Sequence, residues 1–229
     1  MDRRRFLASA TAVGVSSLAG CTGGGGGNGG MDGGNEGSGD ASGTPIAEHP
    51  AAANLDSQPI LGEATDALIV AFEDPSCTLC RRFEQQTYPR IVSELVETGR
   101  ASFVYRGLPI IYPWGEPASH VLEATFAADA DAFWALKDHY FGQQSAFDTD
   151  NVYNRSQTFL ASETDVDAEA VVTAARNGEA DAAVELDLAA GEELGIGQTP
   201  EFYLFSDGVF KTTVRGAQGF SVFESVLGS

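Results

Sequence analysis

The sequence predicts an α/β fold in which one sheet is split in the chain by an inserted all-helical subdomain. Three observations predict it. Residues 66–110 read strand, helix, strand, the order of a parallel βαβ unit. Residues 116–195 are helical in pattern throughout, too long and too periodic for a loop. The remainder reads strand, turn, strand and a short closing helix.

Taken in order, the N-terminus is not part of that fold. "RRRFL" (3–7) leads into an apolar, small-residue run from Phe6 to Ala19. This is shorter than the roughly 20 apolar residues a membrane-spanning helix needs. A basic start with a short apolar core reads as an export signal, and Arg3, Arg4, Phe6 and Leu7 fit the twin-arginine (Tat) pattern R-R-x-F-L. The run ends "SLAGC", which resembles a lipobox with Cys21 as the lipid-accepting residue. Residues 1–20 are therefore expected to be a Tat-type lipoprotein signal peptide. Residues 21–53, rich in glycine and small polar residues, read as a flexible tether with a reach of roughly 25–30 Å. A single acyl chain holds a membrane only marginally, so a double-chain lipid is expected on Cys21. The domain proper is expected from residue 54 to residue 229.

Its composition is strongly acidic: 33 Asp and Glu against 13 Lys and Arg in 229 residues, a net charge of −20. Lys137 and Lys211 are the only lysines. Such a surface repels nucleic acid and anionic headgroups, so no nucleic-acid partner is expected. The acids are spread over all elements. With the Tat-type signal, this resembles an extracytoplasmic protein of a salt-loving (haloarchaeal) organism, in which screened carboxylates keep the surface hydrated.

Within the domain, "DALIVAFED" (66–74) is a buried strand by its short apolar run. The helix after it is split by Pro89 and stopped by Gly99. "ASFVYRGLPI" (101–110) is the second strand. The helical insertion, about 116–195, starts with an Ala-rich stretch to residue 143 that repeats Val121, Leu122, Phe126, Phe133, Trp134 and Leu136 on its faces, followed by shorter helices with a stop at Gly178. "QTPEFYLFSDGVFKTTVRG" is a hairpin turning at Asp207-Gly208, and "SVFESVL" is the closing helix.

The chemistry sits in "DPSCTLCRRFE" (74–84). Cys77 and Cys80 open the first helix. A structural zinc site needs four ligands, and here one C-x-x-C stands with three scattered histidines, His49, His120 and His139; no metal is expected. As a staple the pair would close too short a loop to restrict the unfolded chain much. As a redox couple it has a mechanism. Cys77 lies at the helix N-terminus, where free amide groups and the dipole favour an anion, and Arg81 and Arg82 add positive charge. Its thiol pKa is expected to fall, making it the nucleophile, while the more buried Cys80 resolves the mixed disulfide. A second reading takes the two sulfurs as soft ligands of a copper-handling module; it lacks a companion methionine, since Met1 and Met31 both precede the domain.

These residues resemble the DsbA-like branch of the thioredoxin superfamily, over roughly residues 55–229. The resemblance rests on "FEDPSCTLCRRFE", on the helical insertion, and on "GQTPEFYLF", where Thr199 and Pro200 precede a strand. It implies a thioredoxin-like fold and a cis Pro200 facing the cysteines. It implies a protein thiol–disulfide oxidoreductase without cofactor, Thr199 offering its backbone to an extended substrate, and an apolar substrate surface including Leu79. Family members carry an acid six residues before the first cysteine as proton acceptor; here that position is Ala71. Glu73 and Asp74 are the nearest acids. Asp74 reads either as a water-mediated proton acceptor or as a strand-end turn residue. Arg106, Tyr112 and Trp114 fall at the sheet edge where ligand crevices lie, with packing between subdomains the alternative for the two aromatics. Asn154-Arg155-Ser156 fits the N-glycosylation pattern. The expected partners are exported proteins with cysteines and a membrane or soluble redox partner, met by a domain anchored to the membrane through Cys21.

Overall fold

The computed structural model describes residues 42–63 and 65–227; the expected signal peptide, Cys21 and the tether up to residue 41 lie outside these. The sheet has five strands: β1 (Ile60–Leu61), β2 (Leu68–Glu73), β3 (Ser102–Gly107), β4 (Glu201–Ser206) and β5 (Val209–Arg215), in the order β1-β3-β2-β4-β5. β2 and β3 are parallel, and every other neighbouring pair is antiparallel. All six residues of β2 are buried, because both faces of the sheet are covered; this is why its sequence is a continuous apolar run and not an alternating one. Ile69 and Ala71 join a core with Phe83, Phe103, Phe202 and Leu204, while Leu68, Val70 and Phe72 point the other way onto Ala51, Ala52, Tyr203 and Phe205.

Helix α1 (Thr78–Gln86) gives way at Thr87 to α2 (Tyr88–Ile91), which carries Pro89 in its first turn, where a missing N–H costs nothing. A π-helical turn (Val92–Val96) and Gly99, at φ +71°, complete the crossover. The insertion holds α3 (Gly115–Ala128), α4 (Ala130–Gly142), α5 (Val152–Glu163), α6 (Ala168–Arg176) and α7 (Asp181–Glu193). The stretch to residue 143 is two helices. Asp129 is extended, at φ −163°, and its carboxylate accepts a 2.7 Å bond from Ala132 N–H, capping α4. Asp207 and Gly208 turn the β4–β5 hairpin with φ +54° and +76°, the left-handed pair that a two-residue connection requires. α8 (Phe220–Leu227) closes the fold.

The structure corrects two expectations and decides two readings that the sequence leaves open. The last part of the expected tether is built into the domain: Gly43 N–H donates to Phe210 O and Phe210 N–H to Thr44 O, and His49 is buried among Tyr203, Phe205 and Phe210. Apolar and aromatic contact, not composition, decides order there. Arg106 lines no crevice. It is fully buried, bonded to Asp187 at 3.0 Å and to the carbonyls of Ala51 and Ala53 at 3.2 and 2.8 Å, which fastens this N-terminal strap and α7 to the sheet. Trp114 is buried and stacked on Phe147, so it packs the insertion, whereas Tyr112 is exposed. The glycosylation pattern lies on α5, with Ser156 buried and bonded to Tyr140 at 2.6 Å; the folded helix withholds the hydroxyl an acceptor site must present.

Candidate active site

Strand β2 ends at Glu73, and the chain turns through Asp74, Pro75 and Ser76 to deliver Cys77 as the N-cap of α1. Asp74 builds that turn. One carboxylate oxygen accepts from Ser76 N–H at 2.7 Å and Ser76 Oγ at 2.6 Å, the other from Ile111 N–H at 2.8 Å. Both oxygens are committed to backbone and hydroxyl donors, so Asp74 acts as the strand-end turn residue and pins the 110–112 loop beside the cysteines. Burial raises its pKa, partly offset by these bonds. From the insertion, Gln144 Nε2 donates to Pro75 O at 2.8 Å and Cys77 O at 2.9 Å, locking the same turn from the opposite side. Nothing in the local sequence around Gln144 marks this role.

The two cysteines are free thiols in different environments. Cys77 retains 4% of its surface and Cys80 none, so a sulfur from outside can reach only Cys77. Cys77 Sγ donates to Thr199 O at 3.3 Å. Its pKa is lowered to about 6, first by the hydrogen bond from Cys80, then by Thr199 and the N–H groups of Cys80 and Leu79, against an opposing push from burial. No amide makes a well-aligned capping bond to Sγ; the helix start acts on it through dipoles. Cys80 is pushed well above the ordinary thiol range, first by burial, then by the hydrogen bond it gives Cys77 and by the charges of Glu73 and Cys77.

Thr199–Pro200 is a cis peptide bond directly across from Cys77, as the resemblance implied. Leu79 stands at the rim, 40% exposed, with Ile110, Ile111 and Tyr112 also exposed in the loop that Asp74 holds. Glu73 lies behind the pair on β2, fully buried, without a donor for either carboxylate oxygen. Its pKa is raised, first by burial and then by Glu84. Glu84, one turn beyond Cys80 on α1, meets Lys137 of α4 at 2.5 Å.

A family model described as Thioredoxin matches residues 56–213. The chain belongs to the thioredoxin family. Among curated relatives, this thioredoxin-family chain is similar to the probable disulfide bond formation protein D of Bacillus cereus, 26% identical over 76 residues, 33% of this chain and 35% of the relative. It is also similar to the disulfide bond formation protein D of Bacillus subtilis, 24% identical over 92 residues, 40% of this chain and 41% of the relative. The matches thus span about two fifths or less of the length of these relatives. Among solved structures, oxidised BdbD from Bacillus subtilis superposes with a TM-score of 0.69 at 20% identity, over 82% of this chain and 98% of that one. Wolbachia pipientis α-DsbA1 does so with a TM-score of 0.63 at 16% identity, over 75% and 89%. The fold is therefore thioredoxin-like with the helical insertion of the DsbA structures. Among the described residues, no helix is long and apolar enough to cross a membrane.

Proposed function

We propose that this chain is a thiol–disulfide oxidoreductase that works outside the cytoplasm, exchanging a Cys77–Cys80 disulfide with the cysteines of exported proteins. One observation carries the reading: two sulfurs on one helix turn, the outer one lowered to about 6 and the inner one raised by burial. That asymmetry fixes the order of events. A substrate thiolate attacks Cys77 Sγ; the Cys77–Cys80 bond breaks, its electron pair goes to Cys80, and Cys80 takes up a proton. A second substrate thiolate then attacks the substrate sulfur of the mixed disulfide. Cys77 leaves as a thiolate, and a low leaving-group pKa speeds that departure. Thr199, whose carbonyl holds the Cys77 thiol in the reduced protein, offers backbone to an extended substrate beside cis Pro200. Leu79 and the 110–112 loop receive apolar flanking residues. Glu73 serves Cys80 in proton transfer. The matched disulfide bond formation proteins support the reaction class. The Tat-type start, the lipobox and Cys21 support export and a lipid anchor, with a membrane or soluble redox partner restoring the disulfide.

The test is trapping. A Cys77→Ser variant is expected to lose exchange with a reduced, unfolded cysteine-containing protein. A Cys80→Ser variant is expected to accumulate a covalent mixed disulfide visible on a non-reducing gel. Equal, ordinary alkylation rates for the two thiols at mildly acidic pH would sink the proposal.

A further inference from the structure

The acidic surface is interrupted at the cysteines. Between residues 42 and 229 the chain carries 29 Asp and Glu against 10 Lys and Arg. Three loops border Cys77 and cis Pro200: 108–114, which Asp74 pins; 194–200, which holds Thr199; and 216–219, whose Gly216 N–H donates to Pro200 O at 2.8 Å. None of their residues is Asp or Glu. The carboxyls nearest in the chain, Glu73, Asp74 and Glu84, are buried. The start of α1 goes further and is basic. Cys80, Phe83 and Glu84 face inward, whereas Thr78, Arg81, Arg82 and Gln85, at spacings of three and four, share the outer face, with Arg82 exposed and Arg81 half-buried. A helical side chain leans toward the N-terminus and covers the turn before its own Cα, so both arginines lean toward the turn that carries Cys77 and Leu79. Of the ten basic residues, eight are engaged by a carboxylate or an aromatic ring: Arg90 by Glu94, Lys211 by Asp207 and Arg176 by Tyr153, for example. Among the described residues, Arg81 and Arg82 have neither, and Arg81 Nε is buried without an acceptor.

We propose that Arg81 and Arg82 form a carboxylate-binding subsite beside Cys77, which directs the protein to substrate cysteines flanked by acidic residues. The proposal rests on the exchange reaction above and names its substrate class. A guanidinium offers a planar fork of donors that a carboxylate accepts through both oxygens. In a chain with 29 carboxylates, a surface cation readily finds an acceptor of its own. Two adjacent ones left open beside the reacting sulfur take theirs from an incoming chain. A substrate laid along Thr199 brings its flanking side chains within reach of the α1 start and of the 110–112 loop. Acidic flanks meet the arginines, and apolar flanks meet Leu79, Ile110 and Ile111, which are exposed. The rest of the surface works against such a substrate at long range, because a strongly negative chain repels anions. The acid-free loops remove that repulsion where the two sulfurs must meet, and charge placed at a contact acts on specificity more than on raw affinity. Net charge draws a cationic peptide and the subsite an anionic one, so the two effects separate.

Three reduced peptides test this, identical except that the two residues on each side of a single cysteine are all Asp, all Asn or all Lys. Flanking charge alters a peptide's own thiol, so each rate of exchange with the oxidised protein is divided by that peptide's rate with the uncharged 2-hydroxyethyl disulfide. The normalised rate of the Asp peptide is expected to exceed that of the Asn peptide about fivefold, the scale of one or two exposed ion pairs, with the Lys peptide no faster than the Asn peptide. Arg81→Gln/Arg82→Gln is expected to bring the Asp-to-Asn ratio to about one. Arg82→Gln alone, a change at an exposed position, is expected to bring it to about half the parent's value. Arg100→Gln/Lys211→Gln removes the same charge at the far end of the sheet, before β3 and beside the 207–208 turn, and is expected to keep the parent's ratio. An Asn or Lys peptide that matches or outruns the Asp peptide overturns the subsite. So does an arginine variant that slows all three peptides alike and keeps the ratio, since the guanidinium groups would then act on Cys77 and not on the substrate. If no peptide exchanges with the parent protein, the exchange reaction itself is wrong, an outcome distinct from the others.

Discussion

At the scale of single residues, the molecule differs from an ordinary dithiol through Cys77. The fold holds its pKa near 6, against an ordinary value of 9.0. A lowered pKa stabilises the folded reduced form above the ordinary value, and that gain disappears as pH falls through about 6. Reduction of the disulfide therefore takes up two protons below about pH 6 and one proton from there upward, until the raised Cys80 begins to titrate. The potential measured against a glutathione or thioredoxin buffer should fall by about 59 mV per pH unit below the break and about 30 mV above it, since about 30 mV corresponds to a tenfold change in K for a two-electron couple. A single slope across the break, from mildly acidic to mildly alkaline pH, would refute the assigned ionisation. The pair is legible in the sequence because C-x-x-C after an apolar run is a local signal. The roles of Glu84, Lys137 and Gln144 are not. They arise from contacts 53 to 69 residues apart in the chain, and a buried ion pair leaves no spacing pattern. Glu73 is marked only by its nearness to Cys77, and the position expected to hold an acid, two residues earlier, is Ala71; one pleat further along β2, Glu73 faces the same side of the sheet.

At the scale of elements, strands β2 to β5, the Pro89 break and the hairpin turn are all legible, since each has a strong local cause: an apolar run, a missing N–H, a left-handed dipeptide. Two features escape a reading of the sequence. Strand β1 is two residues long, below what periodicity can reveal. The α3–α4 break rests on one capping aspartate among several. Helix α1 depends on what it packs against. Phe83, on the face that carries Cys80 inward, meets Tyr88, Phe202 and Phe223 at ring distances of 6.4, 4.4 and 5.7 Å. Phe83→Ala empties that junction and should cost about 3–5 kcal/mol in urea unfolding. Leu79, at the exposed rim of the same helix, serves as the control: Leu79→Ala should stay within about 0.5 kcal/mol of the parent. Similar losses for both would show that α1 is not held by this aromatic junction.

At the scale of the whole molecule, the domain begins earlier than composition suggests. Residues 43–53 form part of the fold: the strap pairs with the edge of β5 and buries Ala51, Ala52 and His49 against the second face of the sheet. It also completes the coordination of the buried Arg106 guanidinium, whose Nη groups bond to Ala51 and Ala53 while Asp187 holds Nε. A chain started at residue 54 keeps every strand and the main helices of the thioredoxin-like core, together with the whole cysteine site. It strips two carbonyl acceptors from that guanidinium, which keeps Asp187, and each buried donor left without its partner costs about 1–3 kcal/mol. The truncated domain should therefore unfold at a clearly lower urea concentration than a chain started at residue 42. The Cys77 thiol should keep its acidity, because none of the groups that lower it belongs to the strap. Both chains must be measured at the same ionic strength, since 29 acidic against 10 basic residues from residue 42, and 28 against 10 from residue 54, make the stability of either depend on how well salt screens its carboxylates. Equal midpoints for the two chains would mean that Arg106 finds water in place of the strap, and that the boundary belongs at residue 54 after all.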